Sequence, residues 1–197
     1  MPIQILQESV VVGGHNIPFD NFPEWHAHHL NRVNNTQQLE QDGAQLIQDG
    51  FPFTNLEQFI RQVCRWGGYP GIAGRVLNKN RPQEIIQRFT DAIQAFAFAQ
   101  PAAAALESLN HLTDLGTPSF ASKHLRFLRP DICPVLDRLL STDLGYPFSP
   151  TGYQEMSDDC IEIGNLITTQ VGPVEEGRPW GASDVEMSIF AFLHLAP

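Results

Sequence analysis

Between Gly116 and Arg138 the chain reads GTPSFASKHLRFLRPDICPVLDR. Lys123, Arg126, Arg129 and Arg138 fall in this one stretch, with His124 among them, although the protein carries a formal net charge of −10. Asp137 follows directly on the apolar pair Val135 and Leu136. A carboxylate after such a run can sit in a partly dry pocket, where its charge stabilises a developing sugar cation or orients an attacking water. Lys123 offers a phosphate contact or, once deprotonated, a nucleophilic amine. Plainer roles are open to both residues. An aspartate favours the first turn of a helix as a cap, and Lys123 can be a solvated lysine or the partner of Asp137 or Asp131.

The elements that must position these groups are helical. Upstream, LESLNHLTDLG reads as a helix ending at Leu115-Gly116, and Thr117-Pro118 makes a short turn into SFASKHLRFL. Pro-Val-Leu-Asp then starts a further short helix after a loop. A tight turn between two helices leaves the first N–H groups of the second helix unpaired at its positive end, a ready anion site. Gly116, Thr117 and Ser119 are the candidates to hold a phosphate there, with Arg126, Arg129 and Arg138 as further contacts.

Charge is unevenly spread. Residues 1–60 carry net −6, residues 61–138 net +4, and residues 139–197 net −8. A basic middle between acidic ends predicts one face for a polyanion, with the remaining surface repelling it; an ordinary run of surface arginines is the alternative.

Helix signals dominate elsewhere. Thr54 with Glu57 reads as a capping box for a helix that ends at Gly67-Gly68. Pro82 and Pro101 suit the first turns of two more helices. Thr151 with Gln154 and Ser183 with Glu186 read as the starts of the last two. Only Ser9 to Val12 looks like a strand, and residues 13–35, rich in Gly, Pro, Asn and His, look irregular. The expectation is an all-α protein: an extended N-terminal arm over 1–35 and a single helical domain over 36–197, with the hairpin region at 106–140.

Trp66 and Tyr69 flank Gly67-Gly68 and are either core aromatics at a helix end or a stacking wall for a flipped base. His26, His28 and His29 in WHAHH lack the ligand spacing of a metal site, so no metal is expected, and no cofactor. Cys64, Cys133 and Cys160 are too few and too far apart for a disulfide framework and read as buried thiols. The N-terminal stretch lacks the basic start and apolar core of a signal peptide, and no run approaches a membrane span. A cytoplasmic protein with no membrane contact is expected.

LTDLG, FASKHLRFL and PVLDR, taken together, resemble the helix-hairpin-helix DNA glycosylase superfamily, in particular small bacterial proteins with an 8-oxoguanine-glycosylase-like fold. VCRWGGYPGIAGRVLNKN, from Val63 to Asn80, is similar to such proteins too. The resemblance implies a hairpin at Leu112 to Gly116 that grips a phosphate of DNA, and a catalytic aspartate at Asp137. Thr113-Asp114 stand where that family has Pro-Gly, and Lys123 lies about one helical turn beyond the family's nucleophilic lysine. The implied activity is therefore monofunctional: release of a damaged or modified base from DNA by cleavage of its N-glycosidic bond. The alternative is a non-catalytic nucleic-acid-binding or protein-interaction module of a defence or mobile-element system.

Overall fold

The computed structural model describes residues 2–97, 101–115 and 118–195. The chain starts with a three-stranded antiparallel meander, β1 (Gln4–Ile5), β2 (Ser9–Val12) and β3 (His15–Pro18), in the order β1-β2-β3. Val12 pairs with His15 across Gly13-Gly14, whose φ angles of 56° and 82° are those of a tight primed hairpin turn. Val10, Val12 and Ile17 face the core.

A 3₁₀ turn over Phe19–Asn21 leads into α1 (Phe22–Arg32), which packs on the last helix of the chain. The expected extended arm over 1–35 is thus a small sheet and a helix. The helix escapes the sequence reading because its buried stripe is Phe22, His26 and His29. Two of those three positions are polar by type, so an apolar count does not register the period.

Nine more α-helices follow among the described residues: α2 (Thr36–Asp49), α3 (Phe53–Trp66), α4 (Gly71–Lys79), α5 (Pro82–Gln94), α6 (Pro101–Asn110), α7 (Pro118–Leu128), α8 (Arg138–Leu144), α9 (Pro150–Gln170) and α10 (Ala182–His194). The protein is mainly α-helical, with the small sheet as its one β element among those residues. Pro82, Pro101 and Pro118 open their helices where expected. Thr54, Thr151 and Ser183 do not cap theirs. At α9, Pro150 takes the first helical position and leaves the cap to Ser149, whose Oγ accepts from Gly152 N at 3.2 Å. At α10, Ala182 N and Ser183 N donate to the carbonyls of Asp131 and Pro130, so the segment between α7 and α8 satisfies the orphan donors that a serine hydroxyl would have taken.

The position of α7 matters most for function. Phe120 to Leu128 are buried without interruption, enclosed by α2, α3 and α6. The approach of α2 is close enough that a Cβ on Gly43 would stand 2.1 Å from Phe127 O. A helix buried all round normally reads apolar all round. This one carries Ser122, Lys123, His124 and Arg126 into the interior, and each needs a partner there.

Candidate functional site

Lys123 is 7% exposed, and its ammonium donates to Asp137 Oδ2 at 3.2 Å and to Ser119 Oγ at 3.2 Å. Asp137 is the N-cap of α8, and its Oδ1 accepts from Leu139 N and Leu140 N, each at 3.1 Å. The cap and the pair with Lys123 therefore coexist, one carboxylate oxygen for each.

The extended run before Asp137 is held residue by residue. Tyr153 Oη donates to Pro134 O at 3.0 Å, Val135 N to Glu186 Oε2 at 3.4 Å, and Leu136 N to Ser122 Oγ at 3.1 Å. These bonds tie the segment to α9, α10 and α7 in turn. They hold the backbone that leads into Asp137.

The pair lies on the wall of a pocket of about 530 Å³. Its apolar lining includes Trp66, Tyr69, Phe120, Phe148 and Phe190. Trp66 is set by a bond from Nε1 to Thr36 Oγ1 at 3.2 Å and by edge packing on Phe127 at 4.9 Å. Tyr69 is 67% exposed and leans edge-on against Phe120 at 6.1 Å. Between them, Gly67 makes room for the lysine, since a Cβ there would come within 3.0 Å of Lys123 Cδ.

Two further titratable groups line the pocket. His29 is 4% exposed, and burial, with Arg126 and two neighbouring histidines, lowers its pKa to about 4. It is a neutral imidazole at pH 7, and its Nδ1 is buried without a hydrogen-bond partner among the described residues. Glu186 is 4% exposed. Burial pushes its pKa up to about 7; Asp137 adds to that, while Arg126 and Lys123 oppose it.

The residues singled out in the sequence separate into two sets. Asp137, Lys123, Ser119, Trp66, Tyr69 and Arg138 come together around the pocket, with the Arg138 guanidinium 5.2 Å from the Phe148 ring. Arg126 and Arg129 do not join them. Arg126, expected at a phosphate, is fully buried, bonded to Glu40 at 2.9 Å and stacked on Phe127 at 4.4 Å. Arg129 is held by both oxygens of Asp131, at 2.9 and 2.7 Å, and covers Phe96. Gly116 and Thr117 lie outside the described residues. The segment ahead of them is braced by Asn80, whose side chain bonds Thr113 N at 2.9 Å and Thr113 O at 3.1 Å. Asp114 is taken by Lys79 at 2.7 Å.

Glu186, Phe190, Phe148 and His29 are among the lining residues that the sequence reading missed. The spacing of Glu186 and Phe190 was the available signal: i and i+4 share one helix face, and the Glu186 carboxyl stands there among Val185, Met187 and Ile189. Among the described residues no three His, Cys, Asp or Glu side chains are grouped to hold a metal. Cys64, Cys133 and Cys160 are free and buried, and burial raises the first two thiols to about 12. No described helix is long and apolar enough to cross a membrane.

Comparison of the chain with protein-family models, with curated proteins and with solved structures gave no match.

Proposed function

We propose that this protein is a base-excising enzyme of the helix-hairpin-helix glycosylase type, releasing a damaged or modified base from DNA by hydrolysis of its N-glycosidic bond. The observation that carries the reading is the Lys123–Asp137 pair, its lysine buried and its carboxylate partly so, on the wall of an aromatic pocket of about 530 Å³. That size falls within the range of small-ligand sites. Trp66, Tyr69 and Phe148 offer faces on which an extruded base stacks, and the unpairing energy is smallest for a damaged or single-stranded base.

Asp137 is the group for the sugar. As the bond to the base lengthens, positive charge grows at C1′, and a fixed carboxylate in a site poor in water stabilises it more than water does. Water then adds to the cation. Lys123 serves this chemistry as an ammonium, holding the Asp137 carboxylate in place at 3.2 Å. Its amine is engaged by Asp137 and Ser119 rather than left free for attack, which favours hydrolysis over Schiff-base chemistry.

A second reading, a binding module without turnover, is favoured by one observation. Much of the basic block is paired within the chain: Arg61, Arg75, Lys79, Lys123, Arg126 and Arg129 all face carboxylates, and Lys123 and Arg126 are buried as well. The two readings part on turnover. Incubation with single- and double-stranded oligonucleotides carrying a panel of modified bases, followed by chromatography of free base, shows release from at least one substrate if the site is catalytic. Binding without release across the panel supports the module instead.

A further inference from the structure

We propose that Glu186 is the general acid of this site, donating the proton that the departing base requires as its bond to C1′ breaks. The inference rests on the reading of the pocket as a base-releasing one. Glu186 sits on the pocket lining from α10, 4% exposed, and its Oε2 is held by Val135 N at 3.4 Å. Val135 and Asp137 are alternate residues of one extended segment, and both line the same pocket. At a rise of about 3.4 Å per residue, the segment spaces their two attachment points by roughly 7 Å. A base and its sugar fit across such a span, the sugar at Asp137 and the base toward Glu186.

The two carboxyl groups are served differently. Two backbone N–H groups and an ammonium converge on Asp137. One backbone N–H reaches Glu186. A pair of carboxyl groups in unlike surroundings on one pocket divides the roles of acid and charge stabiliser.

The groups around Glu186 are consistent with that division. Helix α7 turns Lys123 and Arg126 toward it, the segment before α8 brings Asp137, and α1 brings the neutral His29. Helix α9 brings Tyr153 and Cys160, both pushed well up by burial and so uncharged at neutral pH. Asp184, on the same helix as Glu186, is committed to Arg178 and His26. Against this background burial prevails, and Glu186 holds its proton up to about pH 7.

The step balances. The C1′–N bond breaks with its electron pair moving to the base, and the proton passes from the Glu186 carboxyl to the base nitrogen. Water adds its oxygen to C1′, and the proton it sheds returns to the Glu186 carboxylate.

Two oligonucleotides test the assignment: one carries 8-oxoguanine, which leaves as a neutral base only after taking a proton, and the other N7-methylguanine, which is already cationic and needs none. Wild-type release of 8-oxoguanine is expected to fall as pH rises through about 7. Glu186→Gln should slow that release on the order of 10²-fold and remove the falling limb. The loss on N7-methylguanine should be smaller by at least tenfold. Glu186→Asp, which keeps an acid, should recover part of the rate and the limb. Wild-type release of 8-oxoguanine without a falling limb overturns the assignment even if Glu186→Gln fails to fold, as does equal loss on both bases or an unaffected Glu186→Gln. In those cases base release itself stands. Release of no base by the wild type from any oligonucleotide of the modified-base panel removes the reading of the site and the general acid with it.

Discussion

At the scale of single residues, the pocket gathers groups of four kinds: the Asp137 carboxylate, the Lys123 ammonium, the neutral His29 imidazole and the buried Glu186 carboxyl. The bond from Lys123 to Asp137 at 3.2 Å makes a definite prediction about covalent chemistry. Borohydride reduction during turnover should trap no protein–DNA adduct through Lys123, and Lys123→Ala should slow base release without abolishing it, since Leu139 N and Leu140 N still hold the Asp137 carboxylate. A trapped adduct that disappears in Lys123→Ala would assign the lysine as a nucleophile. Lys123, Asp137, Trp66 and Tyr69 were legible because their types and neighbours single them out in the chain. Glu186 was not, because Ser183 and Glu186 also fit a capping box, and the loop carbonyls that displace that cap are distant in sequence. Arg126 misled for a related reason. A cation reads as a surface group until the chain around it is seen to bury the helix on every side.

At the scale of elements, α7 is the mount of the site, and its depth depends on α2 lying close against it. Gly43→Ala should cost about 1–3 kcal/mol, because its Cβ would meet the Phe127 carbonyl, which belongs to the backbone and cannot turn aside. For a chain of this length that is a fall in Tm of roughly 2–4 °C per kcal/mol. Thermal unfolding of Gly43→Ala beside Gly74→Ala, where a Cβ meets nothing within 4 Å, isolates the effect. Equal Tm values in the two variants would mean that α2 shifts freely. Helix starts at Pro82, Pro101 and Pro118 were legible because proline sets φ and lacks the donor that a first turn leaves unpaired. The starts at Phe53, Pro150 and Ala182 were not, since serine and threonine fit several registers and the tertiary partner decides between them. The α1 helix stayed hidden because histidines carry much of its buried stripe.

At the scale of the molecule, the net +4 of residues 61–138 already counts Asp114, Asp131 and Asp137, and the fold offsets it further by pairing Arg61 with Glu57 and Arg126 with Glu40, both from outside the block. Sequence alone shows the sum of charge, and folding decides which charges reach solvent. Stability should also track buried titration. His29 and His124 have folded pKa values of about 4, against 6.5 ordinarily, both lowered chiefly by burial. The unfolded chain therefore binds more protons between those limits, and stability should be lost as pH falls from 6.5 toward 4. Glu186 acts with the opposite sign, favouring the folded state below about 7. Two histidines outweigh one carboxyl, so urea midpoints should rise from pH 4.5 to 6.5 and flatten near 7. Midpoints that fall over that interval would contradict the burial of the histidines.

The central claim is that the Asp137 charge drives release of the base, and single-turnover release by Asp137→Asn measures it. Asparagine caps a helix about as well as aspartate, so the variant should fold, bind with nearly wild-type affinity an oligonucleotide whose modified base the wild type releases, and release no base from it. Release at the wild-type rate by a folded Asp137→Asn would make the carboxylate a helix cap and nothing more.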